Sequence, residues 1–241
     1  MDVVINEREV QENIYEEKIR KLIATQEALV NVLAILAETR DNETGGHIIR
    51  TSEYIRLMSN IYLKHSESKK YESYIFKYAY KAAPLHDIGK VSIPDTILLK
   101  PSKLTDEEFT IMKNHTTVGY WALQKAEKKV GKNNFIKVAK EIAYTHHEKW
   151  DGTGYPRRLI ADEIPIHGRM MALADVYDAL ISKKVYKAPI SHSKALKIIE
   201  EGKGKNFDPL LVELFVKDNE EFRKIAYEYA DYSEEKETLM L

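Results

Sequence analysis

The sequence predicts an all-α fold, a helical bundle preceded by one long N-terminal helix. Three observations carry that expectation. Apolar residues recur at helical spacing through most of the 241-residue chain. Helix start signals are explicit: Thr105-Asp106-Glu107-Glu108 is a capping box, and Asp208-Pro209 is an N-cap followed by proline at the first helical position. Strand signals are sparse, and Ile164-Pro165-Ile166 is the one short extended piece expected.

Residues 7–39 hold neither Gly nor Pro and read as a single helix. Within it Ile19, Leu22, Gln26, Leu29, Leu33 and Leu36 alternate in steps of three and four, a short heptad seam. Two readings of the seam stand side by side. It packs on the chain's own domain, or it forms a parallel dimer and connects to an upstream sensory domain. Further helices are expected over residues 52–64, 71–85, 105–125, 134–148, 166–183, 193–201 and 208–216. Gly89 is expected to end the helix before it, leaving His86 and Asp87 beside a loop. The acidic tail after Tyr229 is expected to fray. The organisation predicted is a helical linker over 1–28, a main domain over 29–230 and an acidic tail over 231–241.

Composition narrows the chemistry. Hydrophobic content of 44% supports a core, and Lys+Arg 37 against Asp+Glu 38 calls for neither a nucleic-acid polymer nor an anionic membrane. The chain has no cysteine, which excludes disulfides, zinc-thiolate sites and iron–sulfur clusters. Any metal must be held by His, Asp, Glu and water, a set suited to Fe, Mn, Mg or a catalytic Zn. No apolar stretch long enough to span a bilayer and no signal peptide are expected, so the chain is read as cytoplasmic with no membrane partner.

His47, His86, His115, His146 and His147 stand in contexts that suggest ligation. His86-Asp87 alone is weak, because the pair is common by chance. His115 alone, two to three turns into a helix, is more often a hydrogen-bonded structural residue. His146-His147-Glu148 followed by Asp151-Gly152-Thr153-Gly154-Tyr155-Pro156 differs in kind. An ordinary turn explains the glycines but not paired imidazoles at a helix end. Asp175 and Asp178 share one face of an apolar helix, where a carboxylate is costly unless paired or bound to a metal. Asp175 is read as a site residue and Asp178 as its supporting neighbour.

The order of these pieces is more specific than any one of them. The chain resembles the HD-GYP branch of the HD-domain phosphohydrolases, the bacterial signalling phosphodiesterases of cyclic di-GMP. The matching residues are Thr44-Gly45-Gly46-His47-Ile48-Ile49-Arg50, His86-Asp87-Ile88-Gly89-Lys90, Ile93-Pro94, His115 and His146 through Pro156. They continue through Gly168-Arg169 and the Asp175 helix to Phe207-Asp208-Pro209. The resemblance covers roughly residues 29–215.

It implies an HD-domain helical bundle whose metal ligands are His86, Asp87, His115, His146, His147 and Asp175, with Asp87 bridging two ions. Glu43 and His47 match the upstream glutamate and histidine of members with a third ion. Two or three divalent ions, iron or manganese, are therefore expected, although Gly45 and Gly46 make the Glu43–His47 spacing a poor helix interior. The implied reaction is in-line attack of a hydroxide bridging two ions about 3.5–4 Å apart. Asp87 and Lys90 are assigned to catalysis, and Lys90, Tyr155, Lys184 and Lys187 to substrate binding. The family commonly reads Ser-Asp-Arg-Pro-Tyr-Arg/Lys where this chain has Ser182-Lys183-Lys184-Val185-Tyr186-Lys187. Lysine lacks the bidentate fork of arginine, so altered affinity or substrate preference is implied.

Three functional readings follow from the resemblance. The first is hydrolysis of cyclic di-GMP to pGpG or GMP. The second is hydrolysis of another cyclic dinucleotide such as cyclic GMP-AMP. The third is a cyclic di-GMP binding or scaffolding module. The partners implied are a second copy through the N-terminal helix and an upstream sensory, receiver or GGDEF-type domain.

Overall fold

Helix α1 (Glu7–Glu38) runs unbroken for 32 residues because neither Gly nor Pro interrupts it. The computed structural model describes residues 7–41, 45–184 and 188–241. Among the described residues α1 meets the rest of the molecule through Val30, Ala34, Ala37 and Glu38, all buried. The heptad seam is not that face: Ile19, Leu22, Leu29, Leu33 and Leu36 are all exposed. Packing of the seam on its own domain is thus corrected, because small residues on another face allow the close approach.

One further expectation changes. The stretch Glu9–Asp41 holds a window long and apolar enough, by length and composition alone, to cross a membrane, with 22% of it buried. Charges crowd the first half of α1, which leaves residues 22–37 with Glu27 as their one ionisable group.

Helix α2 (Gly45–Leu63) starts seven residues before the sequence estimate, so Gly45 and Gly46 form its first turn and not its interior. Helices α3 (Ser73–Ala82) and α4 (Asp95–Leu98) flank two 3-10 turns, Ala83–Leu85 and Ile88–Ser92. Helix α5 (Asp106–Val130) carries the expected capping box: Glu108 N donates to Thr105 Oγ1, and Thr105 N donates to Glu108 Oε2 at 2.7 Å. Then come α6 (Asn134–Thr145), α7 (Ile166–Ile181), α8 (His192–Glu201) and α9 (Pro209–Lys217), the last capped by Asp208.

Helices α10 (Asn219–Glu228) and α11 (Ser233–Leu239) complete the chain. The acidic tail therefore does not fray. Glu235 is buried and accepts from Lys183 N and Asp231 N, while Leu239 enters the core. No strand forms among the described residues. Ile164 and Pro165 are extended, but Ile166 already begins α7.

Helices α2, α3, α6 and α7 enclose the core with Tyr54, Met58, Phe76, Ile142, Met170 and Tyr177. Burying each such side chain contributes about 1.5–3 kcal/mol relative to leaving it in water. Helix α7 is apolar nearly all round and central, so its two aspartates stand where charge must be compensated.

Candidate metal centre

His86 and Asp87 sit in the tight passage between the two 3-10 turns, and that passage lies directly on α5. A Cβ on Gly89 would fall 1.9 Å from His115 O, so only glycine lets the turn approach so closely. The glycine is needed for this contact and not as a helix cap, because α3 has already ended at Ala82. Close approach puts His115, on the facing side of α5, against Asp87.

The backbone fixes the tautomers. Nδ1 of His86 donates to Ala83 O at 3.0 Å, that of His115 to Met112 O at 2.8 Å, and that of His146 to Ile142 O at 3.1 Å. Carbonyl oxygens only accept, so in each neutral ring Nε2 carries the lone pair. These three Nε2 atoms all face the Asp87 carboxylate. Oδ1 lies 3.1 Å from His115 Nε2 and 3.3 Å from His146 Nε2, and Oδ2 lies 3.3 Å from His86 Nε2. Acceptors that converge in a buried site repel one another unless a proton or a cation lies between them.

Two groups of candidate ligands share this carboxylate as their hinge. Asp87, His115, His146 and His147 bring one donor atom each within 4.8 Å of one another, and Glu38, His47 and His86 do the same on the other side. The buried Nε2 of His86, Oδ1 of Asp87 and both carboxylate oxygens of Glu38 have no hydrogen-bond partner. Imidazole and carboxylate donors in this arrangement suit a divalent metal.

The groups differ electrostatically. Burial, together with His146 and His115, holds His147 well below the ordinary imidazole value, and burial holds His146 down as well. Both are therefore neutral imidazoles at neutral pH, a form able to ligate a metal. Burial also works against a charged His86, but Asp87 overrides it and lifts the ring to about 9. Asp87 itself is held well below the usual carboxylate range: burial opposes this, and Lys90, His86 and His115 outweigh it.

His47, on the first turn of α2, is oriented by a buried relay. Asp178 Oδ2 lies 2.9 Å from its Nδ1, and Arg50 holds Asp178 through Nε at 2.7 Å and Nη2 at 3.0 Å. His47 Nε2 thereby points inward, 3.9 Å from Asp175 Oδ1. Lys90 Nζ reaches Asp87 Oδ2 at 2.7 Å and also touches Asp41. Tyr155 lies over His147 with ring centroids 4.8 Å apart, and Phe109 meets its edge at 6.0 Å. Glu148 shapes that loop by accepting from Arg157 N and Leu159 N.

The structure thus brings together His47, His86, Asp87, His115, His146, His147 and Asp175, with Asp178, Lys90 and Tyr155 around them. Lys184 stands half-buried just past the end of α7. Glu43 and Lys187 lie outside the described residues. Sequence reasoning gave no role to Glu38, Arg50, Glu148 or Phe109, although Arg50 and Glu148 stand within the matched motifs. Glu38 left a separate signal, an acidic residue at a helix C-terminus, where the macrodipole disfavours it.

Comparison with known proteins agrees with this geometry. The HD domain family matches residues 31–211. A cyclic di-GMP phosphodiesterase of Vibrio cholerae is 53% identical over 208 residues, which are 86% of this chain and 42% of that protein. A 3'3'-cGAMP-specific phosphodiesterase of the same organism is 42% identical over 208 residues, 86% of this chain and 37% of that protein. The chain thus spans less than half the length of these curated relatives. An HDG"Y"P protein from Bdellovibrio bacteriovorus shares the fold with TM-score 0.51 at 18% identity, over 74% of this chain and 54% of that one.

Proposed function

The chain belongs to the HD-domain family, in its HD-GYP branch, and we propose that it is a metal-dependent phosphodiesterase that hydrolyses cyclic di-GMP to pGpG or GMP. The observation that carries this reading is the division of the Asp87 carboxylate between two groups of candidate ligands. Oδ1 faces His115 and His146, and Oδ2 faces His86.

The proposed ligands are His86, Asp87, His115, His146, His147 and Asp175, with His47 and Glu43 beside them, and iron or manganese is the proposed metal. Divalent ions bound there lower the pKa of water and offset the charge of a phosphodiester. The chain's own residues do the rest. Neutral His146 and His147 leave their lone pairs free for ligation. Asp178 and Arg50 hold His47 in one tautomer and one direction. Lys90 brings an ammonium beside Asp87, where it can bond a phosphoryl oxygen. Tyr155 and Phe109 form an aromatic wall on which a guanine can stack.

Glycine-rich turns and buried imidazoles do not choose between guanine and adenine. The relative named for 3'3'-cGAMP, together with Lys183-Lys184 in the segment after α7, supports hydrolysis of that dinucleotide as a second reading. A panel of cyclic di-GMP, 3'3'-cGAMP and cyclic di-AMP, run with wild-type protein and Asp87→Asn, tests the proposal. Faster loss of cyclic di-GMP, abolished by the substitution, is the expected result; faster loss of 3'3'-cGAMP would transfer the assignment.

A further inference from the structure

Glu38 is the last residue of α1 and lies outside the ligand set proposed so far. It is 2% exposed, and neither of its carboxylate oxygens has a hydrogen-bond partner. Leaving an ionised carboxylate in that condition is costly unless a positive charge compensates it. Lys90 Nζ is 3.6 Å from Oε2, beyond hydrogen-bonding distance, and is engaged more closely by Asp87 and Asp41.

What the carboxylate does face is a pair of imidazoles. One atom each of Glu38, His47 and His86 lie within 4.8 Å of one another. Both imidazoles present Nε2 to that space, because Nδ1 is committed to Asp178 in His47 and to Ala83 O in His86. No donor N–H satisfies the carboxylate. With both rings neutral, two nitrogen lone pairs and one carboxylate, all buried and converging, are an acceptor set for a divalent cation, which takes the place of the proton that Asp87 otherwise holds on His86.

We propose that Glu38 is a metal ligand, completing with His47 and His86 a cation position on the Oδ2 side of Asp87. The inference rests on the metal-centred reading of the site and adds a ligand from an element that reading does not use. Because Glu38 ends α1, occupancy of this position is coupled to where α1 sits. Its seam is exposed along its length, and Val30, Ala34, Ala37 and the Glu27–Lys81 ion pair anchor its C-terminal half to the bundle. A small displacement of α1 therefore withdraws a ligand without disturbing His115, His146 or His147.

The test is the metal content of the full chain, independent of turnover. Anaerobically purified wild type, Glu38→Gln and the α1 surface control Glu16→Gln, whose carboxylate pairs with Arg20 of the same helix, are titrated with Mn(II), free Mn(II) is followed by electron paramagnetic resonance, and bound metal is counted after desalting. Glu38→Gln is expected to bind one ion at least about tenfold more weakly than wild type and the control, while retaining the ion on the other side of Asp87. Circular dichroism and Tm of the metal-free protein verify that the variant folds. If Glu38→Gln does not fold, Glu38→Asp, which withdraws the carboxylate by one methylene, is expected to weaken the same ion. Unchanged stoichiometry and affinity in the folded variant would overturn the inference alone. Wild type that binds no metal would overturn the metal-centred reading with it.

Discussion

Nδ1 of His47 lies 2.9 Å from Oδ2 of Asp178, a contact that spans 131 residues of sequence and fixes which nitrogen of His47 faces the site. Asp178 is in turn gripped at both oxygens by Arg50, itself fully buried and bound to Asp231 and Ser182. The relay couples the stability of the α2–α7 contact to the geometry of one candidate ligand.

Removing one member of a buried pair strands the other. Arg50→Met is expected to destabilise the protein by roughly 3–5 kcal/mol, read from urea unfolding. Asp178→Asn tests the pH side. Burial opposes ionisation of Asp178, but Arg50 and His47 prevail and hold its carboxyl below the usual range. A lowered folded value stabilises above the unfolded pKa of about 3.9 and is lost as pH falls through the folded one. Between pH 5 and 2, about the window set by that shift, wild type should lose more stability than Asp178→Asn. Parallel acid limbs would show that the relay contributes nothing.

The bridging position proposed for Asp87 predicts an asymmetry in metal loss. Asp87→Asn should weaken binding on both sides of the carboxylate, whereas His115→Ala should weaken only the side it shares with His146 and His147. Metal counts after desalting separate the two. Equal losses in both variants would mean that Asp87 serves a single ion.

Gly89→Ala places a methyl against the α5 backbone at His115 O. A destabilisation of about 1–3 kcal/mol is expected, together with weaker metal binding, because the turn must retreat from His115. A variant with wild-type Tm and wild-type metal content would contradict the tight contact.

The exposed seam of α1 predicts self-association. Leu22 and Leu29 are 70% and 59% exposed, an arrangement a second copy of the helix could cover. Wild type should be dimeric by light scattering, and Leu22→Glu with Leu29→Glu monomeric. A wild-type monomer at high concentration would exclude this role.

Much of the fold was legible because its signals are local. The capping box at Thr105 and the Asp208-Pro209 start both lie where expected, and the order of histidines and aspartates marked most of the candidate centre. What was missed depends on contacts distant in sequence. Arg50 meets Asp178 across 128 residues, and Glu38 reaches His86 only because Ala34 and Ala37 let α1 approach. The role of Gly89 was misread for the same reason: a glycine after a helix looks like a cap until the facing helix is in place. The acidic tail reads from its composition as a fraying end, but Glu235 finds two backbone donors that no local pattern announces.

The most direct test of the central claim is product chromatography of cyclic di-GMP incubated with anaerobically purified protein, with and without added Fe(II) or Mn(II). The account predicts metal-dependent appearance of pGpG or GMP. Fully metallated protein that leaves cyclic di-GMP intact would contradict it.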